Sequence, residues 1–136
     1  MRCVTVTSPD RVAALVEELD RYPQDRAEIV FEIVAELDRA GDQDSALRWL
    51  GTLVEAGRVD GALARVEIAG LHFAAGCREL AQAELAALRA CRIGDPAPYA
   101  MAAELLAEQG EQSSALMWFT MAATRFSDDQ LAAAAG

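Results

Sequence analysis

The sequence has no lysine and no asparagine, a single histidine, His72, and only three cysteines in 136 residues. Cys3, Cys77 and Cys91 are odd in number and far apart, so their spacing matches neither a disulfide framework nor a zinc site. The glycine-rich phosphate loop and the nucleophile elbow are also missing from the sequence. These absences predict a chain with no catalytic residues, no metal site and no cofactor.

Long apolar runs are missing as well. No stretch reaches the roughly 18 uncharged apolar residues that a membrane span requires, and the opening MRCVTVTSPD lacks the apolar segment of a secretory signal. We therefore expect a cytoplasmic protein that does not contact the membrane. All 12 basic residues are arginine and alanine is abundant, which is typical of proteins encoded by GC-rich bacterial genomes.

The charge is strongly of one sign, with a formal net charge of −10. Such a surface repels phosphate backbones, so nucleic acid is not an expected partner. The same field favours a basic or amphipathic peptide. The alternative is that the charge serves only to keep the protein soluble.

What the sequence does contain is an internal repeat. Gly41, Gly76 and Gly110 recur at spacings of 35 and 34 residues. The positions at fixed distances from these glycines are small or apolar in each copy, with one histidine among them: Ile33, Ile68 and Ala102; Leu37, His72 and Leu106; Ala46, Ala81 and Ala115; Leu50, Leu85 and Phe119; Leu53, Leu88 and Ala122. The shared register predicts three helix–turn–helix units of about 34 residues.

Each part of the repeat has a physical reason. Glycine tolerates the left-handed conformation that closes a helix, so each glycine is expected where one helix ends and the next begins. The alanine five residues later allows the paired helix to approach closely. The large apolar residues that follow form the stripe that a period of 3.6 residues buries. By this register His72 points into the core, as a hydrogen-bonded core residue rather than a catalytic one.

The pattern resembles the tetratricopeptide repeat family over residues 27–129. The resemblance implies an all-α, right-handed solenoid of three helical hairpins, with an N-terminal capping helix and a short C-terminal helix. Two positions depart from the family pattern. Val34 replaces the small residue of the first helix in the first copy, and the proline that commonly closes each repeat is replaced by Arg58, Ile93 and Ser127.

The register divides the single domain into six segments. They are an extended arm at 1–7, a capping helix at 8–22, repeats at 27–61, 62–95 and 96–129, and a C-terminal cap at 128–136 that begins a separate helix after Ser127. Ser8 followed by Pro9 is a typical start for the capping helix.

The resemblance also implies a concave groove lined by the first helix of each repeat. The residues expected there form an apolar floor bordered by carboxylates: Glu28, Phe31, Ala35, Asp38, Leu63, Val66, Phe73, Glu104 and Glu108. The family register places Gly70, Ala97 and Ala100 on the same wall. The family's groove for a peptide C-terminal carboxylate uses inward Lys, Arg and Asn, and two of these are absent here. An amphipathic helix with basic residues fits better. Alternatively, Phe31 and Phe73 only pack against neighbouring helices.

A second candidate surface lies on the last long helix, where Met117, Trp118, Met121 and Phe126 stand beside the expected core residues Phe119 and Ala122. A terminal repeat needs a polar cap because nothing stacks beyond it. Either the short C-terminal helix covers these residues, or another chain does. Methionine and tryptophan are common in adaptable interfaces, but they are equally common as residues that fill a core.

The favoured hypothesis is a non-enzymatic protein–protein interaction module that binds a peptide or helix in its groove. One alternative is a structural protein that self-associates, for example as a homodimer, through Trp118 and its neighbours. The other is an enzyme that uses His72.

Overall fold

The computed structural model describes the backbone of residues 8–135 and the side chains of residues 10–124. This part of the chain is all-helical and contains no strand, which confirms the predicted class. One short 3-10 helix covers Pro23–Asp25, and the α-helices are α1 (Ser8–Arg21), α2 (Arg26–Arg39), α3 (Gln43–Ala56), α4 (Arg58–Ala74), α5 (Arg78–Ala90), α6 (Ala97–Glu108) and α7 (Gln112–Ala135). The predicted arm at 1–7, with Cys3, lies outside the described residues.

The three glycine turns are alike in detail. Gly41, Gly76 and Gly110 have φ angles of 79°, 78° and 80°, so the predicted left-handed closure is confirmed. The glycine N–H donates to the carbonyl of Asp38, Phe73 or Ala107 at 3.0 Å, and the next N–H donates to the carbonyl of Leu37, His72 or Leu106 at 2.8 to 2.9 Å. This pair of bonds satisfies carbonyls that a helix end leaves open.

By its internal contacts the chain divides into two compact units, Met1–Glu55 and Ala56–Gly136. In the first unit α1 packs against α2, and Leu15 is fully buried. One face of α2 is buried along its length, at Ile29, Val30, Ile33, Val34 and Leu37. On α3 the buried positions are the ones that the repeat register predicts, Ala46, Leu50 and Leu53.

In the second unit, α4 packs against α5, α6 packs against α7, and α4 also packs against α6. Ala81 and Ala115 are buried, as expected of the small residues that let paired helices approach. Arg65 on α4 and Glu84 on α5 form a partly buried ion pair at 3.0 Å. Arg78 at the start of α5 pairs with Glu111 just before α7. The buried apolar residues of α4, α5, α6 and α7 form one hydrophobic core.

The third copy departs from the register at its large apolar residue. Phe119 was expected in the core, and this expectation is wrong, because Phe119 is 43% exposed. Trp118, for which an interface and a core position were both open, is 4% exposed. The buried stripe of α7 runs through Ala115, Trp118 and Ala122, which are three and four residues apart and share one face. The ring of Trp118 stacks on Tyr99 of α6 at a centroid distance of 6.0 Å.

The C-terminal end also differs from the expectation. The predicted break and new helix at Ser127 are wrong, because α7 continues without interruption to Ala135. No glycine or proline stands between Gln112 and Ala135, and the run of alanines has the highest helix propensity. Within the described residues, the backbone after Ser127 belongs to α7 and not to a separate helix.

His72 lies on α4 and is half-buried, whereas Leu37 and Leu106, at the equivalent positions, are buried. The expectation that His72 points into the core is therefore not met. Its backbone carbonyl still accepts the turn hydrogen bond from Cys77.

Within the described residues, every helix is too short or too polar to cross a lipid bilayer.

Candidate binding groove

A groove of 240 Å³ lies between α4 and α6 in the second unit. Its walls are formed by Val66, Glu67 and Gly70 of α4 and by Met101, Glu104, Leu105 and Glu108 of α6. On each helix these positions fall three or four residues apart or side by side, so they occupy consecutive turns of one face. The groove therefore follows directly from packing two amphipathic helices side by side.

The floor of the groove is apolar. Val66 is buried, and the half-buried Met101 and Leu105 pack against the core of the second unit. Gly70 adds no side chain, so the floor is open at its position. A Cβ atom placed on Gly70 would meet only the Cδ1 atom of Leu105, at 3.8 Å, so the space above this glycine belongs to the groove.

The rim of the groove is acidic. Glu67, Glu104 and Glu108 are all exposed, and the last two are one helical turn apart on α6. The lining residues include no basic side chain. Arg65 of α4 pairs with Glu84 of α5. Carboxylates therefore border an apolar floor.

Four of the residues predicted for the wall of the groove are brought together in it, namely Val66, Gly70, Glu104 and Glu108. Leu63 is half-buried and does not line this groove. Phe73 does not line it either, because its side chain packs against the buried core of the second unit.

The other predicted groove residues lie on α2 in the first unit. Glu28, Ala35 and Asp38 are exposed and Phe31 is half-buried. Their spacing of three, four and three residues puts them on one stripe of α2.

Three lining residues were missed from the sequence: Glu67, Met101 and Leu105. Glu67 and Leu105 stand next to the selected positions Val66 and Glu104, and Met101 lies three residues before Glu104. The register treats the inner face as a single row of residues, whereas an apolar helix face is at least 100° wide. A wider stripe at spacings of three and four residues would have included all three.

A second depression, of 510 Å³, lies between α5 and α7 and is more open. It is lined by Arg89 of α5 and by Ser113, Leu116, Met117, Thr120 and Met121 of α7. Met117 and Met121 are two of the predicted surface residues. Trp118 is buried and does not line this depression, although it lines a smaller neighbouring one of 170 Å³ together with Arg89 and Met117. The Phe126 side chain is outside the described residues.

The described side chains include no group of three or more His, Cys, Asp or Glu residues placed to hold a metal ion. Cys77, at the start of α5, is exposed and Cys91 is half-buried, and neither forms a disulfide. His72 does not line the groove between α4 and α6.

Comparisons with family models, with curated proteins and with solved structures gave no match to this chain.

Proposed function

We propose that this chain is a cytoplasmic, non-enzymatic interaction module that binds a peptide or helix of a partner protein between α4 and α6. The observation that carries the proposal is the combination in that groove of an apolar floor with three carboxylates at its rim. The apolar floor offers affinity through burial. The carboxylates select the sign of the partner's charge.

We also propose that α2–α3, α4–α5 and α6–α7 are three repeats of the tetratricopeptide type. The recurring glycine turn, with the same φ and the same two hydrogen bonds, supports the proposal. So does the packing of α4 against α6, since in that family the first helices of successive hairpins line the concave face of a right-handed solenoid. The groove would then be part of this concave face.

The expected partner is an amphipathic segment rich in arginine or lysine. The net charge of −10 attracts such a segment over a distance of about one Debye length, which is roughly 8 Å at physiological salt. The association rate should therefore fall as salt rises. The apolar contacts with Val66 and Leu105 should depend much less on salt.

A displayed library of random helical peptides tests the proposal. We expect the selected peptides to combine apolar and basic residues on one face. We also expect Glu104→Gln with Glu108→Gln to weaken their binding by about tenfold or more, because charge-assisted hydrogen bonds are lost. The matched control is Glu17→Gln with Glu79→Gln, which makes the same change in net charge at exposed positions on α1 and α5. Equal binding by the two double variants would show that the groove is not the site.

A second candidate function is self-association through α7. The observation that favours it is the exposure of Leu116 and Met117, at 67% and 42%, beside the depression between α5 and α7. Large exposed apolar side chains grouped on one helix are typical of interaction sites. In this proposal the occupant is a second copy of the chain.

A further inference from the structure

The depth of the groove between α4 and α6 depends on one residue, Gly70. It lies inside α4, where glycine lowers helix stability by about 1 kcal/mol relative to alanine. Its φ is not in the left-handed region, and a Cβ atom there would meet no backbone. Neither the turn geometry nor a close backbone contact therefore requires glycine. What the missing side chain does provide is space between Glu67 and Leu105.

The size of this space limits what can enter it. The groove measures 240 Å³, below the roughly 300–1,000 Å³ of pockets that hold cofactors or drug-sized ligands. One long side chain fits such a volume better than a whole small molecule does. A helix or peptide lying across α4 and α6 can insert one side chain at Gly70.

The chemistry of the walls selects which side chain that is. Val66, Met101 and Leu105 provide an apolar path, and the carboxylates stand at its edge. A purely apolar side chain would use the floor but would leave the carboxylates in unfavourable contact with a low-polarity surface. Arginine and lysine combine an aliphatic stem with a cationic head, and the head forms charge-assisted hydrogen bonds with carboxylates.

We propose that the groove at Gly70 is a pocket for a single arginine or lysine side chain of the partner. The stem lies on Val66, Met101 and Leu105, and the cationic head is bound by carboxylates among Glu67, Glu104 and Glu108. The pocket deepens the proposed function and rests on it, because it names the side chain by which a partner peptide is recognised. Gly70 is then the residue that determines specificity.

The test uses N-acetyl-arginine methylamide and N-acetyl-lysine methylamide as probes, titrated into the isotope-labelled 14.6 kDa chain and followed by amide NMR. We expect saturable shifts centred on Gly70, Glu104 and their neighbours. The uncharged isosteres, made from citrulline and 2-aminoheptanoic acid, should bind at least about tenfold more weakly. Equal binding of charged and uncharged probes, or shifts centred elsewhere, would overturn the pocket.

Two variants give the test its controls. Gly70→Leu fills the pocket and should abolish the shifts, while Gly51→Leu makes the same change inside α3, where a Cβ atom also meets nothing within 4 Å, and should leave them intact. Retained binding by Gly70→Leu would count against the pocket.

If peptides selected from the library bind through Glu104 and Glu108 but the arginine and lysine probes do not bind at Gly70, the pocket is rejected and the proposed function stands. If the probes bind but no peptide does, the interaction function is rejected instead.

Discussion

Tyr99 shows how a single polar atom fixes the position of a large buried side chain. Its ring is fully buried and stacks on Trp118, while its hydroxyl donates to the carbonyl of Cys91 at 2.7 Å. Cys91 follows the last residue of α5, so the bond ties the end of that helix to α6. A buried tyrosine needs such an acceptor because an unsatisfied hydroxyl is costly.

Removing this hydroxyl should therefore measurably destabilise the second unit. We expect Tyr99→Phe to lower the free energy of unfolding by about 1 kcal/mol, the usual net value of one hydrogen bond. Tyr22→Phe is the matched control, because Tyr22 is exposed, and it should have no effect. Urea unfolding followed by circular dichroism measures both variants. A Tyr99→Phe variant as stable as the parent would mean that the bond to Cys91 contributes nothing.

Ala81 tests the close approach of paired helices at the level of one side chain. It is fully buried in the core of the second unit, so Ala81→Leu should overpack the contact and destabilise the protein by roughly 1–3 kcal/mol. Ala83→Leu makes the same substitution at an exposed position of α5 and should change stability little. Equal midpoints in a urea titration would show that α5 does not need a small residue at position 81.

The helix ends depend on glycine for backbone reasons alone. Gly76 has a φ of 78°, yet a Cβ atom there would meet nothing within 4 Å. We expect Gly76→Ala to destabilise by about 1–2 kcal/mol, the cost of a left-handed conformation for an L-residue. Gly51→Ala lies inside α3 without a positive φ and should instead stabilise by about 0.5–1 kcal/mol. Thermal unfolding of both variants measures the two changes in stability. If both substitutions stabilise the protein, or both destabilise it, the assigned turn at Gly76 is contradicted.

The sequence predicted correctly where the helices that end at Gly41, Gly76 and Gly110 stop, because these ends depend on the backbone conformation of a single residue. The three glycine turns were predicted because a left-handed residue leaves a visible mark in the sequence. Two of the three positions that lack the family proline, Arg58 and Ser127, also have a structural reason. Arg58 has a φ of 61°, which a proline ring held near −65° cannot adopt, and a proline at Ser127 would interrupt α7.

The sequence was a poorer guide wherever packing between helices decided the outcome. Trp118 and Phe119 are adjacent and both large, so the register alone could not tell which one would meet Tyr99. The same is true of the groove, where Val66, Glu104 and Glu108 were predicted but Met101 and Leu105 were not. The rotation of α4 and α6 about their own axes determines which positions of the two helices face each other. This rotation cannot be read from the apolar pattern of either helix alone.

At the scale of the whole molecule, the acidic charge and the exposed apolar residues of α7 suggest different partners. The groove between α4 and α6 has carboxylates at its rim, so a second copy of this acidic chain would be repelled there. The depression between α5 and α7 instead presents Leu116 and Met117, and the one charged side chain among its lining residues is Arg89. A basic partner at the groove and a second copy at α7 are therefore compatible with each other.

Self-association through α7 is best tested at Leu116 and not at Trp118. A glutamate in place of Trp118 would put a carboxylate into the core, where an unpaired charge is strongly destabilising, so a loss of mass could not be separated from unfolding. Leu116→Glu changes an exposed side chain and should leave the fold intact. If the parent is a dimer by light scattering, we expect Leu116→Glu to be a folded monomer, because each copy would bring a charge into the same isologous contact. Leu80→Glu, at the other strongly exposed leucine, 54% accessible on α5, should remain a dimer. A parent whose mass is that of a monomer at every concentration would exclude self-association, and the groove between α4 and α6 would then be the remaining candidate for partner binding.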